Sequence, residues 1–372
     1  MKLVVFGLSV SSSWGNGHAT LWRGLIKALG ALGHHVVFFE HDQPFYAQHR
    51  DLPELAGGEL ILYPSWADVR PRVERYLAGA DVAIVTSYCP DSLLACEEIL
   101  SSPARIRCFY DLDTGATLAR LHAGETVEYI PAGGLGDFDL VLSYIGGQAL
   151  ADLKTLLGAR HVAPLYGCVD PEVHHPAPPE DRFRADLSYL GSYSADRQPA
   201  LDDLFLEPAR RRPDLHFLLA GPQYPENFPW TENVAFIPHL PPADQSAFYS
   251  SSRLTLGVTC RPMALNGWCP SGRLFEAAAC GVPIISDDWE GLDYFFEPGR
   301  EILVARTTGH VMDALGMSDE ALARVARAAR ARVLAAHTAS RRALELENIL
   351  DAAVSLPVET VTAGREPGAG RP

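Results

Sequence analysis

Residues 271–276 read Ser-Gly-Arg-Leu-Phe-Glu and combine an anion-binding pattern with a carboxylate. Ser271 is predicted to be the N-cap of a helix, where several backbone N–H groups lack acceptors. With Gly272 allowing close approach and Arg273 adding a positive charge, these N–H groups form a site for phosphate. Glu276 shares a helix face with Arg273, and its carboxylate suits the two hydroxyls of a ribose. The pattern predicts a nucleoside diphosphate site; the alternative is a core helix with a surface Arg273–Glu276 ion pair.

A short helix and a buried strand are predicted to position this pattern. Leu274–Ala279 are small or apolar helix formers, and Gly281 is expected just past the helix end in a left-handed conformation. Residues 282–285 form an apolar run too short for a helix, so they are predicted to be a strand.

The N-terminus is predicted to form a strand, a polar loop, a helix and a second strand. The loop contains Gly15 and Gly17, and His18 begins the helix, which runs to about Leu32. A loop of this length and glycine content favours a ligand-binding role over a plain flexible connection. A histidine at a helix start suits a neutral, hydrogen-bonding role for His18, although a solvated histidine is the alternative.

A dinucleotide-binding role competes for the same loop. That motif requires three glycines and an acidic residue about 20 positions later. Gly15 and Gly17 supply two glycines and Glu40 ends the second strand, but Thr20 stands at the third glycine position. The loop is also too long for the tight dinucleotide turn, so this role is disfavoured.

The alternation of strands and helices continues through both halves of the chain, with a proline-rich hinge at residues 174–181. The sequence therefore predicts an α/β protein with two doubly wound, Rossmann-like domains that face each other across a cleft. The predicted division is residues 1–172 for the first domain, 173–338 for the second, 339–355 for a helix that crosses back to the first domain, and 356–372 for a disordered tail.

The run 273–287, with Trp289, Gly291 and the pattern at 295–302, resembles retaining nucleotide-sugar-dependent glycosyltransferases of the GT-B fold, and within them the spore-maturation CgeB-like group. Residues 137–147 and 164–171 also resemble that group. The resemblance implies a nucleotide-sugar donor, with a UDP-sugar favoured, whose ribose is held by Glu276 and whose diphosphate lies at the helix start. Many retaining relatives have a second glutamate eight positions earlier, and this sequence has Trp268 there.

The resemblance also implies which other residues surround the donor. Arg197 matches the position of a basic residue for the diphosphate, and Arg261 is a candidate second cation, with a helix-tethering ion pair as its alternative. The predicted donor-binding set is Gly15, Gly17, Arg197, Gly221, His239, Leu240, Arg261, Ser271, Gly272, Arg273, Leu274 and Glu276.

An Asp-x-Asp pair, Asp111 and Asp113, follows a predicted strand. Such pairs hold a divalent metal in another glycosyltransferase architecture. Here the pair ends a strand of a doubly wound sheet, so we expect a carboxylate facing the acceptor or the sugar and no metal site. The alternative is a solvated turn at the strand end.

The expected reaction moves a sugar to an unidentified acceptor with retention at the anomeric carbon and without metal. Arg197, Arg273 and the helix start would stabilise the leaving diphosphate, whose oxygen would take the acceptor's proton. The residues predicted to take part in catalysis are His18, Asp113, Arg197 and Glu276; in an inverting mechanism, Asp113 or His18 would be the base. Two different functions are also compatible with the sequence: an NAD-dependent oxidoreductase that uses Glu40, and a non-catalytic sugar-nucleotide-binding protein.

Composition limits the partners. The 372 residues carry a formal net charge of −15, which disfavours nucleic acid as a partner. Seven cysteines are scattered without a Cys-x-x-Cys pair, and no apolar run is long enough to span a membrane. Because the N-terminus leads directly into a strand and has no signal-peptide pattern, a cytoplasmic location is expected. No cofactor is expected beyond the donor nucleotide sugar.

Overall fold

The computed structural model describes residues 1–355, so the tail predicted at 356–372 lies outside the described residues. The strands are β1 (Lys2–Gly7), β2 (His35–His41), β3 (Gly58–Tyr63), β4 (Val82–Thr86), β5 (Ile106–Asp111), β6 (Leu140–Ser143), β7 (Val162–Pro164), β8 (Leu187–Leu190), β9 (Phe217–Ala220), β10 (Val234–Ile237), β11 (Thr255–Gly257), β12 (Ile284–Ser286) and β13 (Leu303–Val304).

The helices alternate with these strands. They are α1 (Gly17–Ala31), α2 (Pro44–Gln48), α3 (Trp66–Leu77), α4 (Ser92–Ser101), α5 (Thr114–His122), α6 (Ala149–Leu157), α7 (Gln198–Leu201), α8 (Glu207–Arg211), α9 (Pro242–Ser250), α10 (Arg261–Asn266), α11 (Gly272–Cys280), α12 (Leu292–Phe295), α13 (Thr308–Leu315), α14 (Asp319–Ala336) and α15 (Ala339–Ser355).

Two parallel sheets form the centres of two Rossmann-like units, as predicted. The first has seven strands in the order β3-β2-β1-β4-β5-β6-β7, and the second has six in the order β10-β9-β8-β11-β12-β13. Helices cover both faces of each sheet, so central strands such as β4 are buried along their whole length. Both sheets reverse their strand order, at β1/β4 and at β8/β11, and ligands of doubly wound folds bind at such points.

The last helix returns to the first unit. Helix α15 packs against α1, and in the same region Glu347 Oε1 lies 2.7 Å from His34 Nε2. A Cβ added to Gly24 of α1 would lie 3.4 Å from the Cβ of Ala339, which shows how closely the two helices approach. The chain therefore links its two sheets at both the hinge and the C-terminal helix.

Several helices were not predicted from the sequence. Helix α3 contains Pro71, which weakens a helical pattern, yet Val69, Val73 and Leu77 bury one face of it. Helix α5 begins at Thr114, directly after Asp113, where a strand-end turn was the alternative. Within residues 1–355, no helix has the combined length and apolar character needed to cross a bilayer.

Candidate active site

The start of helix α11 is open. Ser271 occupies the N-cap position with an extended backbone, as predicted, but its side chain does not cap the helix. Its Oγ instead accepts a hydrogen bond from Arg273 Nε at 3.1 Å. Among the described residues, the backbone N–H groups of Gly272 and Arg273 have no acceptor. The helix therefore begins with unpaired backbone N–H donors, which is the arrangement that binds anions.

Glu276 is a nearly buried carboxylate without a protein partner. Only 7% of the residue is exposed, and within residues 1–355 it makes neither a hydrogen bond nor an ion pair. Arg273 instead donates from Nη1 to the carbonyl oxygen of Leu190 at 2.5 Å. The alternative Arg273–Glu276 surface ion pair is therefore not formed. A buried carboxylate left unpaired is costly, so a ligand with hydroxyl donors would relieve that cost.

Two further arginines were predicted to bind the donor diphosphate at this helix start. Arg197 donates from Nη1 to the carbonyl oxygen of Ser192 at 3.0 Å, and its Nε is buried without a partner among the described residues. The backbone N–H of Arg261 donates to Asp196 Oδ2 at 2.7 Å, and its exposed side chain makes no ion pair within residues 1–355. The helix-tethering ion pair, the alternative role for Arg261, is therefore absent from the described chain.

Two glycines allow the strand ends at this site to approach one another. Gly221 has φ +142°, and a Cβ there would lie 2.1 Å from the carbonyl oxygen of Gly191. A Cβ at Gly191 would lie 2.3 Å from Arg273 Nη1. A side chain at either position would disturb the strand end that holds the Arg273 guanidinium, so both glycines are needed to keep it beside the helix start.

Glu40 fixes the loop between β1 and α1. It is fully buried and accepts hydrogen bonds from Ser9 Oγ at 2.9 Å, from Val10 N at 2.7 Å and from both N and Oγ of Ser11. Both carboxylate oxygens are therefore occupied by the loop. The dinucleotide-binding role needs Glu40 free for a ribose, so this geometry argues against it.

The tip of this loop reaches the second unit. The Trp14 ring stacks on His239 with centroids 3.7 Å apart, and the His49 ring lies 4.4 Å from that of Trp14. Burial lowers the pKa of His239, with Asp51 opposing and His49 adding to the effect. Gly15, with φ +62°, and Gly17 have no atom within 4 Å of an added Cβ, so they face open space beside the stack.

His18 and Asp113 form a pair in the first unit. His18 Nε2 lies 2.9 Å from Asp113 Oδ2, which also accepts a hydrogen bond from Ser87 Oγ at 2.8 Å. Burial would raise the pKa of Asp113, but the charge of His18 and these hydrogen bonds lower it. Asp113 is therefore a carboxylate that orients the imidazole, and His18 Nδ1 is buried without a partner in the described chain.

Asp111 is the second acid of the Asp-x-Asp pair. It is fully buried, accepts the backbone N–H of Asp113 at Oδ1, and has no partner for Oδ2 among the described residues. Burial and the charge of Asp113 raise its pKa to about 7. The pair therefore holds one proton at mildly acidic to neutral pH, which is typical of neighbouring carboxylates that cannot both ionise.

The shifted pKa of Asp111 predicts how stability depends on pH. The folded chain retains this proton up to about pH 7, whereas the unfolded chain loses it near the ordinary value of 3.8. The free energy of unfolding should therefore fall as pH rises from about 4 to 7. Asp111→Asn should remove this slope and exceed the wild type at pH 8 by up to about 4 kcal/mol. Urea denaturation at pH 4 and pH 8 checks this; identical pH profiles would contradict it.

Direct contacts bring the two halves of the site together. Tyr144 follows β6, donates its backbone N–H to the carbonyl oxygen of Asp111, and donates its hydroxyl to the carbonyl oxygen of Pro270 at 3.0 Å. A Cβ at Gly115, the second residue of α5, would lie 3.0 Å from Met263 Cγ of α10. The strand ends that hold Asp111 and Asp113 thus lie against the segment that precedes helix α11.

Trp268 joins the two units. Its φ is +49°. Its backbone N–H donates to the carbonyl oxygen of Glu290, and its carbonyl oxygen accepts the backbone N–H of Gly146 at 3.1 Å. Its ring fills the space over Gly147 and Gly291, where an added Cβ would lie 2.5 Å and 2.6 Å away. The residue that stands at the expected glutamate position therefore fixes the junction between the units.

Seven of the predicted residues form two groups. Gly221, Ser271, Gly272, Arg273 and Glu276 belong to the helix start and the strand ends beside it, whereas His18 and Asp113 pair in the first unit. No hydrogen bond joins the two groups within residues 1–355. Leu274 and Leu240 are buried, so only their backbones can face a ligand. Sequence reasoning missed Trp14 and Tyr144; for Tyr144, its place at the end of a strand was the available signal.

A family model matches part of the second half of the chain. Residues 197–348 match a family model described as "Glycosyl transferase-like". No curated protein sequence matches the chain. The matched residues include Arg197 and the whole of helix α11, so the family pattern covers most of the predicted donor side.

Solved structures of similar fold cover both units. Sucrose-phosphate synthase from Thermosynechococcus elongatus aligns with TM-score 0.67 and 14% identity over 95% of this chain and 99% of that one. Anabaena HepE, in complex with UDP and glucose, aligns with TM-score 0.65 and 13% identity over 95% of this chain and 100% of that one. An alpha-glucosyltransferase in complex with UDP and a 13-mer DNA aligns with TM-score 0.67 and 10% identity over 94% of this chain and 99% of that one. The chain thus has the GT-B fold that these structures share, and its residues 197–348 match the glycosyl transferase-like family model.

Proposed function

We propose that the protein is a glycosyltransferase that moves a sugar from a nucleoside diphosphate sugar, with a UDP-sugar favoured, to a hydroxyl acceptor. The observation that carries this proposal is Glu276, which is nearly buried and unpaired one turn inside a helix whose first N–H groups are open. A ribose and a diphosphate together satisfy both features, because hydroxyls donate to the carboxylate and phosphate oxygens accept from the helix start. UDP in the similar structures supports this choice of nucleotide.

Cationic groups supply the charge that the diphosphate needs. Arg273 is held beside the helix start by Leu190 and Ser271, and Arg197 presents a buried Nε without a partner in the described chain. Leaving-group charge grows in the transition state, and fixed donors in a partly dry cleft stabilise it without reorganising. We propose that these groups neutralise the diphosphate without a metal ion; undiminished turnover in EDTA would agree with this.

We propose that transfer retains the anomeric configuration, in line with the CgeB-like group that residues 273–287 resemble. The bond from C1 to the diphosphate oxygen breaks, the acceptor oxygen bonds to C1 on the same face, and its proton passes to the leaving phosphate oxygen. In this mechanism His18 and Asp113 orient the acceptor or the donor sugar and need not take the proton.

A second candidate mechanism is inversion. The 2.9 Å contact between His18 and Asp113 specifically favours it, because a carboxylate that orients an imidazole is the arrangement of a general base. The acceptor would then attack from the opposite face, with its proton transferred to His18. Proton NMR of the first product formed distinguishes the two mechanisms, since the anomeric coupling constant reports retention or inversion.

Nucleotide binding tests the proposed function directly. UDP, GDP, dTDP and NAD are compared by thermal shift, and UDP-sugars are then assayed for release of UDP. We expect stabilisation by UDP and slow turnover of at least one UDP-sugar. Stabilisation by NAD alone would overturn the proposal, and binding of UDP without any turnover of UDP-sugars would indicate a non-catalytic binding protein.

Arg197→Ala should separate phosphate contacts from nucleoside contacts. Because a charged hydrogen bond to phosphate contributes about 1.5–3 kcal/mol, we expect the Kd for UDP to rise at least about tenfold while the Kd for uridine stays unchanged. Arg306→Ala is the matched control, since the Arg306 guanidinium pairs with Asp288 at the surface. Calorimetric titration measures both ligands; an equal loss for UDP and uridine would show that Arg197 does not contact phosphate.

A further inference from the structure

Tyr88 has a backbone conformation that its residue type disfavours. Its φ is +55°, and among residues 1–355 the other non-glycine residues with positive φ are Gln223 and Trp268. Gln223 follows the turn at Gly221 after a strand end, and Trp268 lies at the junction of the two units. A bulky side chain in this region costs about 1–2 kcal/mol, and such strain persists chiefly at functional sites.

The Tyr88 ring is held in place yet exposed. It lies 4.8 Å from the Tyr129 ring, and the Tyr129 hydroxyl is hydrogen bonded to Thr117 Oγ1 at 2.8 Å. Tyr129 is buried, whereas Tyr88 is 42% exposed. The strained backbone at Tyr88 thus exposes part of its aromatic ring to solvent, while the buried Tyr129 holds that ring in place.

Tyr88 is connected to the His18–Asp113 pair through its chain neighbour. Its chain neighbour Ser87 donates to Asp113 Oδ2 at 2.8 Å and accepts the backbone N–H of Leu112 at 3.0 Å. Burial and the nearby charge of Asp113 raise the pKa of Tyr88, so its hydroxyl stays neutral. Two buried polar atoms without partners in the described chain, Asp111 Oδ2 and His18 Nδ1, belong to the same group of residues. An exposed aromatic residue thus lies next in the chain to a member of this hydrogen-bonded group.

We infer that Tyr88 is the platform of the acceptor subsite and that this subsite takes a saturated sugar ring. The inference rests on the proposed function and adds the chemical class of the acceptor. A sugar presents a C–H face that stacks on an aromatic ring and several hydroxyls along its edge. Those hydroxyls match the carboxylate and imidazole beside Tyr88, whereas a flat phenol offers a single hydroxyl and leaves the remaining polar atoms unsatisfied.

The test compares acceptors in the full-length protein. UDP release is measured with UDP-glucose and with UDP-galactose as donors, first without an acceptor. The sugar probes are the methyl glycosides of glucose, galactose and mannose, and cellobiose. The phenol probe is 4-methylumbelliferone. We expect a sugar probe to accelerate release and the phenol to have no effect. Acceleration by the phenol alone, or by none of the probes, would overturn the assignment of a sugar acceptor.

Variants at Tyr88 test the platform itself. Tyr88→Gly suits the positive φ and should fold with stability close to that of the wild type, but it should raise the KM of the accelerating sugar about tenfold. The Kd for UDP should not change, because the proposed diphosphate groups belong to the second unit. Tyr88→Phe retains the ring and should keep the wild-type KM, and Leu156→Ala, which removes another exposed apolar side chain of the first unit, is the control.

The outcomes separate this inference from the proposed function. Failure of the wild type to bind UDP or to turn over UDP-sugars would reject the function. Intact UDP binding and turnover, with the same sugar KM in wild type and Tyr88→Gly, would reject only the role of Tyr88.

Discussion

Replacing Glu276 should weaken nucleotide binding and leave the fold intact. Glu276→Ala removes the carboxylate that we propose accepts two ribose hydroxyls, and a hydrogen bond to a charged group contributes about 1.5–3 kcal/mol. The Kd for UDP should therefore rise about 10- to 100-fold. Uridine should be affected as strongly as UDP, because both have the ribose, in contrast with Arg197→Ala. Calorimetric titration with both ligands measures this.

The same residue should show the opposite effect on stability. Since Glu276 is 7% exposed and unpaired, Glu276→Gln removes a desolvated charge and should raise the free energy of unfolding of the ligand-free protein by about 1 kcal/mol. Glu301 is a matched control, because it is 6% exposed but paired with Arg332 at 2.8 Å. Glu301→Gln should destabilise the protein. A loss of stability in Glu276→Gln, with unchanged UDP affinity, would favour a structural role for Glu276.

Replacing His18 should lower turnover without weakening donor binding. His18 and Asp113 belong to the first unit, whereas the proposed diphosphate groups belong to the second. We expect His18→Ala and Asp113→Asn each to lower kcat about 100-fold or more, because misplacing a reacting group costs about that factor. The Kd for UDP should stay within about twofold of the wild type. Steady-state kinetics with calorimetry measures both quantities.

The double variant adds a test of the pair. Because Asp113 acts by orienting His18, the combined His18→Ala and Asp113→Asn variant should lose little more than either single variant. Multiplicative losses would show that the two residues act separately. A single-variant loss near 10⁴-fold, with an inverted product, would support His18 as a general base. Unchanged kcat in both single variants would remove the pair from the site.

Helix α11 illustrates how much local sequence can predict. Its start, its end at Gly281 and its charged groups all lie within a dozen residues, so their geometry follows from helix periodicity and glycine conformation. The cap was the exception: Ser271 binds Arg273 because the Leu190 carbonyl draws the guanidinium to that side. That carbonyl lies on another strand, and its approach depends on Gly191 and Gly221.

Glu40 shows a sequence pattern with two possible meanings. An acid at the end of the second strand fits a dinucleotide site, and the sequence does not reveal which donors will reach it. In the fold, residues of the loop between β1 and α1 donate hydrogen bonds to both carboxylate oxygens of Glu40. The length of that loop was the useful signal, since a long polar loop needs an internal acceptor to become ordered.

By itself, the sequence determined the alternation of strands and helices, the two doubly wound units and the position of the α11 start, because these depend on residue types only a few positions apart. Only the tertiary structure decided that His18 pairs with Asp113, that Trp14 stacks on His239, and that Tyr144 bonds to Pro270. These partners are far apart in the chain, and strand order and the packing of the two units bring them together. Contacts of that kind depend on the whole fold and leave no periodic signal in the sequence.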